Sequence, residues 1–306
     1  MPQPRQADHS RPMRISANGI ALEIEDHGPV SGEPLLLVMG LGMQLLAWHE
    51  DFVAMLVWRG FRVIRFDNRD IGLSQRFDSA GLPNLVVDSL RYALGMRVKS
   101  PYTLDDMAAD SIGILDALGI ASAHVCGASM GGMIAQRMAA RAPDRVKSLT
   151  LIMTSSGARH LPGPSLKVRS AMISRPEDPH AIESIVAHYV DLYALIGSPA
   201  YPSPPGYLEE RFTRSVQRSY RPGGTARQMV AIAADGDRSP LLTAIRMPTH
   251  VIHGAADALV PVPAGRDLAK RIPGATLDVI EGMGHDLPRE LWPRFVDGIG
   301  TAAARA

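Results

Sequence analysis

The chain has 306 residues, of which 46% are hydrophobic and 21% charged, and a formal net charge of +1. That length carries one large α/β domain or two ordinary ones, and the near-neutral charge gives neither nucleic acid nor an anionic membrane a footprint. A single cysteine, Cys126, excludes an internal disulfide framework and a cysteine-built zinc site, so a small-molecule task in the cytoplasm is the starting expectation.

The opening stretch MPQPRQADHSRPM is polar and proline-rich. It lacks the apolar core of a secretory signal, so residues 1–13 are expected to form a flexible tail. No later stretch has the uninterrupted apolar length that crosses a bilayer. RISANGIALEIED, residues 14–26, alternates apolar and polar positions around Asn18 and Gly19, the pair favoured in type I′ turns, and predicts an antiparallel hairpin. LLLVMG is a continuous apolar run with no solvated face, as in a strand covered on both sides. Helical spacing over residues 44–58 and a buried run over residues 62–66 follow. Thr103 and Asp106 mark a helix start, with Met107, Ile112, Leu115 and Leu118 along one side and Gly119 as the stop. Residues 123–127 and 148–153 predict two more strands. The rhythm resumes late with THVIHG, a helix over residues 264–271, the strand ATLDVIEG and a closing helix from Leu287. Such alternation predicts a mostly parallel central sheet with helices on both faces.

Between residues 155 and 244 the alternation fails and prolines accumulate. Short helical stretches at residues 181–195 and 208–220 predict a helical insertion. The expected organisation is therefore a core of residues 14–154 and 245–306 with a cap of residues 155–244 over the C-terminal edge of the sheet, where ligands of open α/β sheets bind.

HVCGASMGG places Ser129 among Gly127, Gly131 and Gly132 where a strand hands over to a helix. A sharp strand-to-helix turn exposes the intervening side chain and needs neighbours without a β-carbon, so these glycines let Ser129 stand out as a nucleophile at a helix N-terminus. A hydroxyl needs a base, and the base an orienting acid. Asp257 lies in the loop after THVIHG and His285 in the loop after ATLDVIEG, giving the chain order Ser129, Asp257, His285. His124 and His253 are expected to be structural. Asp67 and Asp70 are expected to fix a turn with Arg69, Gly72 and Ser74. Cys126 is read as a small buried hydrophobe and Trp48 as helix packing.

GASMGG, HGAADALVP and GMGHDLP resemble the nucleophile, acid and histidine motifs of the α/β-hydrolase superfamily. LLLVMG, RFDNRDIGLS and GASMGGMIAQ resemble more narrowly the bacterial serine carboxylesterases of the aclacinomycin methylesterase type. The resemblance implies an α/β-hydrolase fold, a helical cap and hydrolysis of a small-molecule carboxylic ester through an acyl-enzyme, with no metal or organic cofactor. It also implies an oxyanion hole from the backbone N–H groups of Met130 and Leu41, each contributing on the order of 3 kcal/mol to the transition state. Gly40 and Gly42 would let that loop approach the substrate, although many relatives have histidine where this chain has Met39. Met39, Gly40, Gly42, Met43 and Met283 are the candidate pocket. A lactonase, a carbon–carbon hydrolase, a thioesterase and a cofactor-free perhydrolase share the same triad, and a ligand receptor with a hydrolase-like pocket is the alternative from outside enzymology. The sequence leaves open the substrate and the choice between monomer and homodimer.

Overall fold

The structure, a computed structural model, describes residues 12–306, so the expected tail lies almost wholly outside the described residues. Its last position, Met13, already pairs with Ile24. In chain order the elements are β1 (Met13–Ala17), β2 (Ile20–His27), β3 (Glu33–Val38), α1 (Glu50–Trp58), β4 (Phe61–Phe66), α2 (Leu85–Ala93), α3 (Leu104–Ala117), β5 (Ala123–Ala128), α4 (Met130–Arg141) and β6 (Val146–Ile152). They continue with α5 (Leu166–Ile173), α6 (Ile182–Ile196), α7 (Tyr207–Arg218), α8 (Pro222–Asp235), α9 (Ser239–Leu242), β7 (Thr249–Gly254), α10 (Pro263–Arg271), β8 (Thr276–Ile280) and α11 (Trp292–Ala303).

The strands form an 8-stranded sheet in the order β1-β2-β4-β3-β5-β6-β7-β8. β1 and β2 pair antiparallel through the Asn18-Gly19 turn, whose two residues both have positive φ (50° and 75°) as a type I′ turn requires. β2 meets β4 antiparallel, and every pairing from β4 to β8 is parallel.

Side chains alternate between two cores, as the period of two in a strand dictates. Leu36, Val38, Ile64, Val125, Leu149 and Val251 face α3, α4 and α10. Leu35, Leu37, Val63, Cys126, Ile152 and Ile252 face α1 and α11. A sheet buried on both faces explains why β3, β4 and β5 read as unbroken apolar runs. Helix α3 begins with the reciprocal capping box between Thr103 and Asp106.

Helices α5 to α9 all fall between β6 and β7, forming the helical cap inserted between core strands. Two ion pairs, the second fully buried, tie it to the loop after β4. Arg218 of α7 reaches Asp67 (2.7 Å), and Arg227 of α8 makes a bidentate pair with Asp70 (2.6 and 2.8 Å). The Asp67–Ser74 turn forms as expected, with Asp67 accepting the Leu73 amide and Ser74 donating to the Asp67 carbonyl. Arg69, however, turns away from it to Asp110 on α3 (2.6 and 2.7 Å). Among the described residues no helix is long and apolar enough to cross a membrane.

Candidate active site

In a parallel sheet the loops after the strands emerge at one edge, and here the loops after β3, β5, β7 and β8 converge there. Ser129 sits between the end of β5 and the start of α4 with φ 54° and ψ −120°, a strained setting for a residue with a β-carbon. Neighbours hold it there: the Ser129 amide donates to the Ile152 carbonyl (2.9 Å), and the Thr154 hydroxyl donates to the Ser129 carbonyl (2.7 Å).

The glycines around it meet backbone at close quarters. A β-carbon on Gly127 would lie 2.3 Å from the Gly131 carbonyl oxygen, and one on Gly131 would lie 2.0 Å from that of Val38. Both distances are far below van der Waals contact, so α4 packs this tightly on β3 and β5 only because the methyl groups are missing. On the facing side, a β-carbon on Gly40 would lie 3.2 Å from Ser129 Cβ, which brings the loop after β3 directly against the serine.

His285 Nε2 lies 3.0 Å from Ser129 Oγ, and His285 Nδ1 lies 2.7 Å from Asp257 Oδ2. A carboxylate accepts, so Nδ1 carries the ring proton and Nε2 is left to accept the serine hydroxyl. The other carboxylate oxygen, Asp257 Oδ1, accepts the amides of Leu259 (2.9 Å) and Val260 (2.7 Å), so the acid cannot swing. His253 braces the same loop from beneath, Nε2–H donating to the Val260 carbonyl (2.7 Å). Burial pushes its pKa down and favours the neutral ring.

The histidine loop is clamped by the end of α6. The His285 amide donates to the Ile196 carbonyl (2.7 Å), the Gly284 amide to Ser198 Oγ (2.8 Å), and Ser198 Oγ–H to Asp286 Oδ1. Burial raises the Asp286 carboxyl, with Ser198 opposing.

The backbone N–H groups of Leu41 and Met130 flank this edge, and among the described residues neither donates to a protein acceptor. Met130 opens α4, ahead of any intrahelical acceptor. The candidate pocket residues divide. Gly42 and Met43 line a cavity between core and cap together with Ile71, Tyr189, Phe212 and Thr225, and the Tyr193 hydroxyl lies 3.8 Å from Met43 Sδ. Met39 and Met283 are buried in the core on the α1 side of the sheet, their side chains committed to packing. Cys126 is likewise fully buried in that core, and burial drives its thiol pKa far up. Sequence reasoning missed Thr154, Ser198, Asn68 and Gln228. Each acts through a hydrogen bond to a residue distant in the chain, and only the polar character of buried positions could have hinted at them.

A sequence profile of the α/β hydrolase fold matches residues 33–288. The rhodomycin D methylesterase of Streptomyces peucetius is 29% identical over 300 residues, covering 90% of this chain and 93% of its own. The rhodomycin D methylesterase of Streptomyces sp. (strain C5) is 28% identical over 295 residues, covering 90% and 92%. Among solved structures, the enol-lactonase of Burkholderia xenovorans superposes with a TM-score of 0.69 at 26% identity, over 95% of this chain and 100% of that one. The chain belongs to the α/β-hydrolase fold family, as a serine-type carboxylic ester hydrolase related to those methylesterases.

Proposed function

We propose that Ser129, His285 and Asp257 are the nucleophile, the base and the orienting acid of this esterase, and that methyl esters of small-molecule carboxylic acids are its substrates. The observation that carries the reading is the unbroken hydrogen-bond chain from Asp257 through His285 to Ser129, at 2.7 and 3.0 Å. Ser129 Oγ attacks the ester carbonyl carbon as His285 Nε2 takes its proton. The carbonyl π pair moves onto oxygen, where the Leu41 and Met130 N–H groups receive it. As the intermediate collapses, His285 returns the proton to the leaving alkoxide and the acyl group stays on Ser129. Water then attacks the acyl-enzyme with His285 again as base, and the carboxylic acid leaves.

The names of the relatives support the methyl ester, since both Streptomyces proteins are methylesterases. A test is a panel of esters of one apolar acid with alcohols from methyl to hexyl, run beside the corresponding lactones and thioesters. The expected result is the highest kcat/KM for the methyl ester. Preference for the thioester or lactone would move the assignment to that class, and no turnover of any oxygen ester would overturn it.

A further inference from the structure

We propose that Gln228, on cap helix α8, is a positioning residue for the oxyanion loop, so that the cap completes the catalytic site as well as roofing the substrate. The inference rests on the ester-hydrolase reading above. Gln228 is fully buried and uses both ends of its amide. Its Oε1 accepts the Gly42 N–H at 2.9 Å, and its Nε2 donates to the Arg69 carbonyl at 2.9 Å. Arg69 is in turn locked to Asp110, so the amide is anchored to the core and cannot drift with the cap.

Gly42 follows Leu41 directly. Three residues before Gln228 on the same helix, Thr225 packs on Gly42, where a β-carbon would fall 2.9 Å from Thr225 Cγ2. On the other side of Leu41, the Asn68 side-chain amide donates to the Met39 carbonyl at 2.8 Å. The Leu41 N–H therefore belongs to a short segment pinned at Met39 by the core and at Gly42 by the cap. Aiming an oxyanion donor demands placement within about 0.5 Å; the turn is closed on itself by the Met43 N–H to the Gly40 carbonyl at 3.3 Å and tied downstream by the Leu45 N–H to Asp67, and such a turn without its Gly42 anchor is free to tilt between those ties. Without Oε1 the Gly42 N–H loses its acceptor, and the loop gains that freedom.

Two substitutions separate aiming from packing. Gln228→Met keeps the volume and removes both hydrogen bonds, whereas Gln228→Glu, kept neutral by burial, retains a carbonyl acceptor for Gly42 and an O–H donor for the Arg69 carbonyl. Each is assayed for kcat and KM on an activated ester, for the affinity of a trifluoromethyl ketone that forms a tetrahedral adduct on Ser129, and for melting temperature. Gln228→Met is expected to lower kcat and ketone affinity together by about 10- to 100-fold with KM within about twofold, and Gln228→Glu to recover part of both. Equal losses in the two variants, unchanged kcat and affinity, or a rise in KM alone would overturn the proposal. If Gln228→Met does not fold, Gln228→Asn, which withdraws the amide by one methylene, takes its place with the same readouts. Absence of ester turnover in the wild type would count against the functional reading instead, and the ketone arm would still report on the loop because adduct formation on Ser129 needs no ester turnover.

Discussion

Replacing Asp257 by asparagine tests the orienting role at the level of single protons. The carboxylate accepts three hydrogen bonds: His285 Nδ1–H at one oxygen, and the Leu259 and Val260 amides at the other. Asparagine offers one oxygen and one NH₂. Turning the NH₂ toward Leu259 and Val260 would set it against two backbone donors in a buried loop, at about 1–3 kcal/mol for each group left unsatisfied. The oxygen therefore stays with the amides and the NH₂ faces Nδ1. Nδ1 must then accept, the ring proton moves to Nε2, and the group 3.0 Å from Ser129 Oγ becomes a donor that cannot take the serine proton. A loss of about 10⁴ in kcat follows, close to 5.5 kcal/mol of barrier, with little change in fold. The assay is steady-state hydrolysis of an activated ester beside a circular-dichroism melt. A folded Asp257→Asn variant within tenfold of the wild type would refute the reasoning.

Asp70→Asn leaves the buried Arg227 guanidinium only the exposed Asp78 carboxylate, at 3.0 Å, as a charge partner, and is expected to destabilise the protein at neutral pH by about 1–3 kcal/mol in urea titrations. Burial alone would raise the Asp70 carboxyl, but Arg227, the Phe77 amide and Tyr102 outweigh it and hold it below the usual range. Its stabilisation is therefore present above the unfolded-state value of about 3.9 and lost as pH falls through the lower folded value. The stability gap between wild type and variant should close in strong acid, and a gap unchanged down to pH of about 2 would contradict the latch. Gly131→Ala should cost about 1–3 kcal/mol and also lower kcat, because the new methyl meets the Val38 and Met39 carbonyl oxygens at 2.0 and 2.8 Å and displaces the strand that leads into the oxyanion loop. An unchanged kcat would dissociate the elbow from the hole. Cys126 should resist thiol reagents in the native state and react only on unfolding, and rapid labelling of folded protein would contradict its burial.

The hairpin, the parallel strands and the elbow were legible in the sequence because each rests on a local rule. Asn-Gly selects the turn, unbroken apolar runs mark strands covered on both faces, and glycines crowd where backbone meets backbone. That Ser129, Asp257 and His285 would meet was legible because successive parallel strands deliver their loops to one edge, so chain order carries spatial information. α5 and α8 were not anticipated. α5 buries a single side chain, Val168, so its apolar spacing is weak. α8 begins Pro-Gly-Gly, a run that reads as loop and becomes helical through the buried Arg227 and Gln228 contacts to the core. The methionines show the limit of reading a pocket from composition. Met39, Met43 and Met283 all fall near the serine in sequence logic, yet Met39 and Met283 are buried in the core on the α1 side of the sheet. Which way a loop side chain turns depends on packing partners scattered along the chain.

The most direct measurement is the mass of the protein caught during turnover. Incubated with a slowly deacylating ester and quenched in acid, the wild type should carry one acyl group, located by peptide mapping on Ser129, and Ser129→Ala should carry none. An acyl group on another residue, or turnover by Ser129→Ala at the wild-type rate, would contradict a nucleophile raised on the β5 elbow and activated by His285.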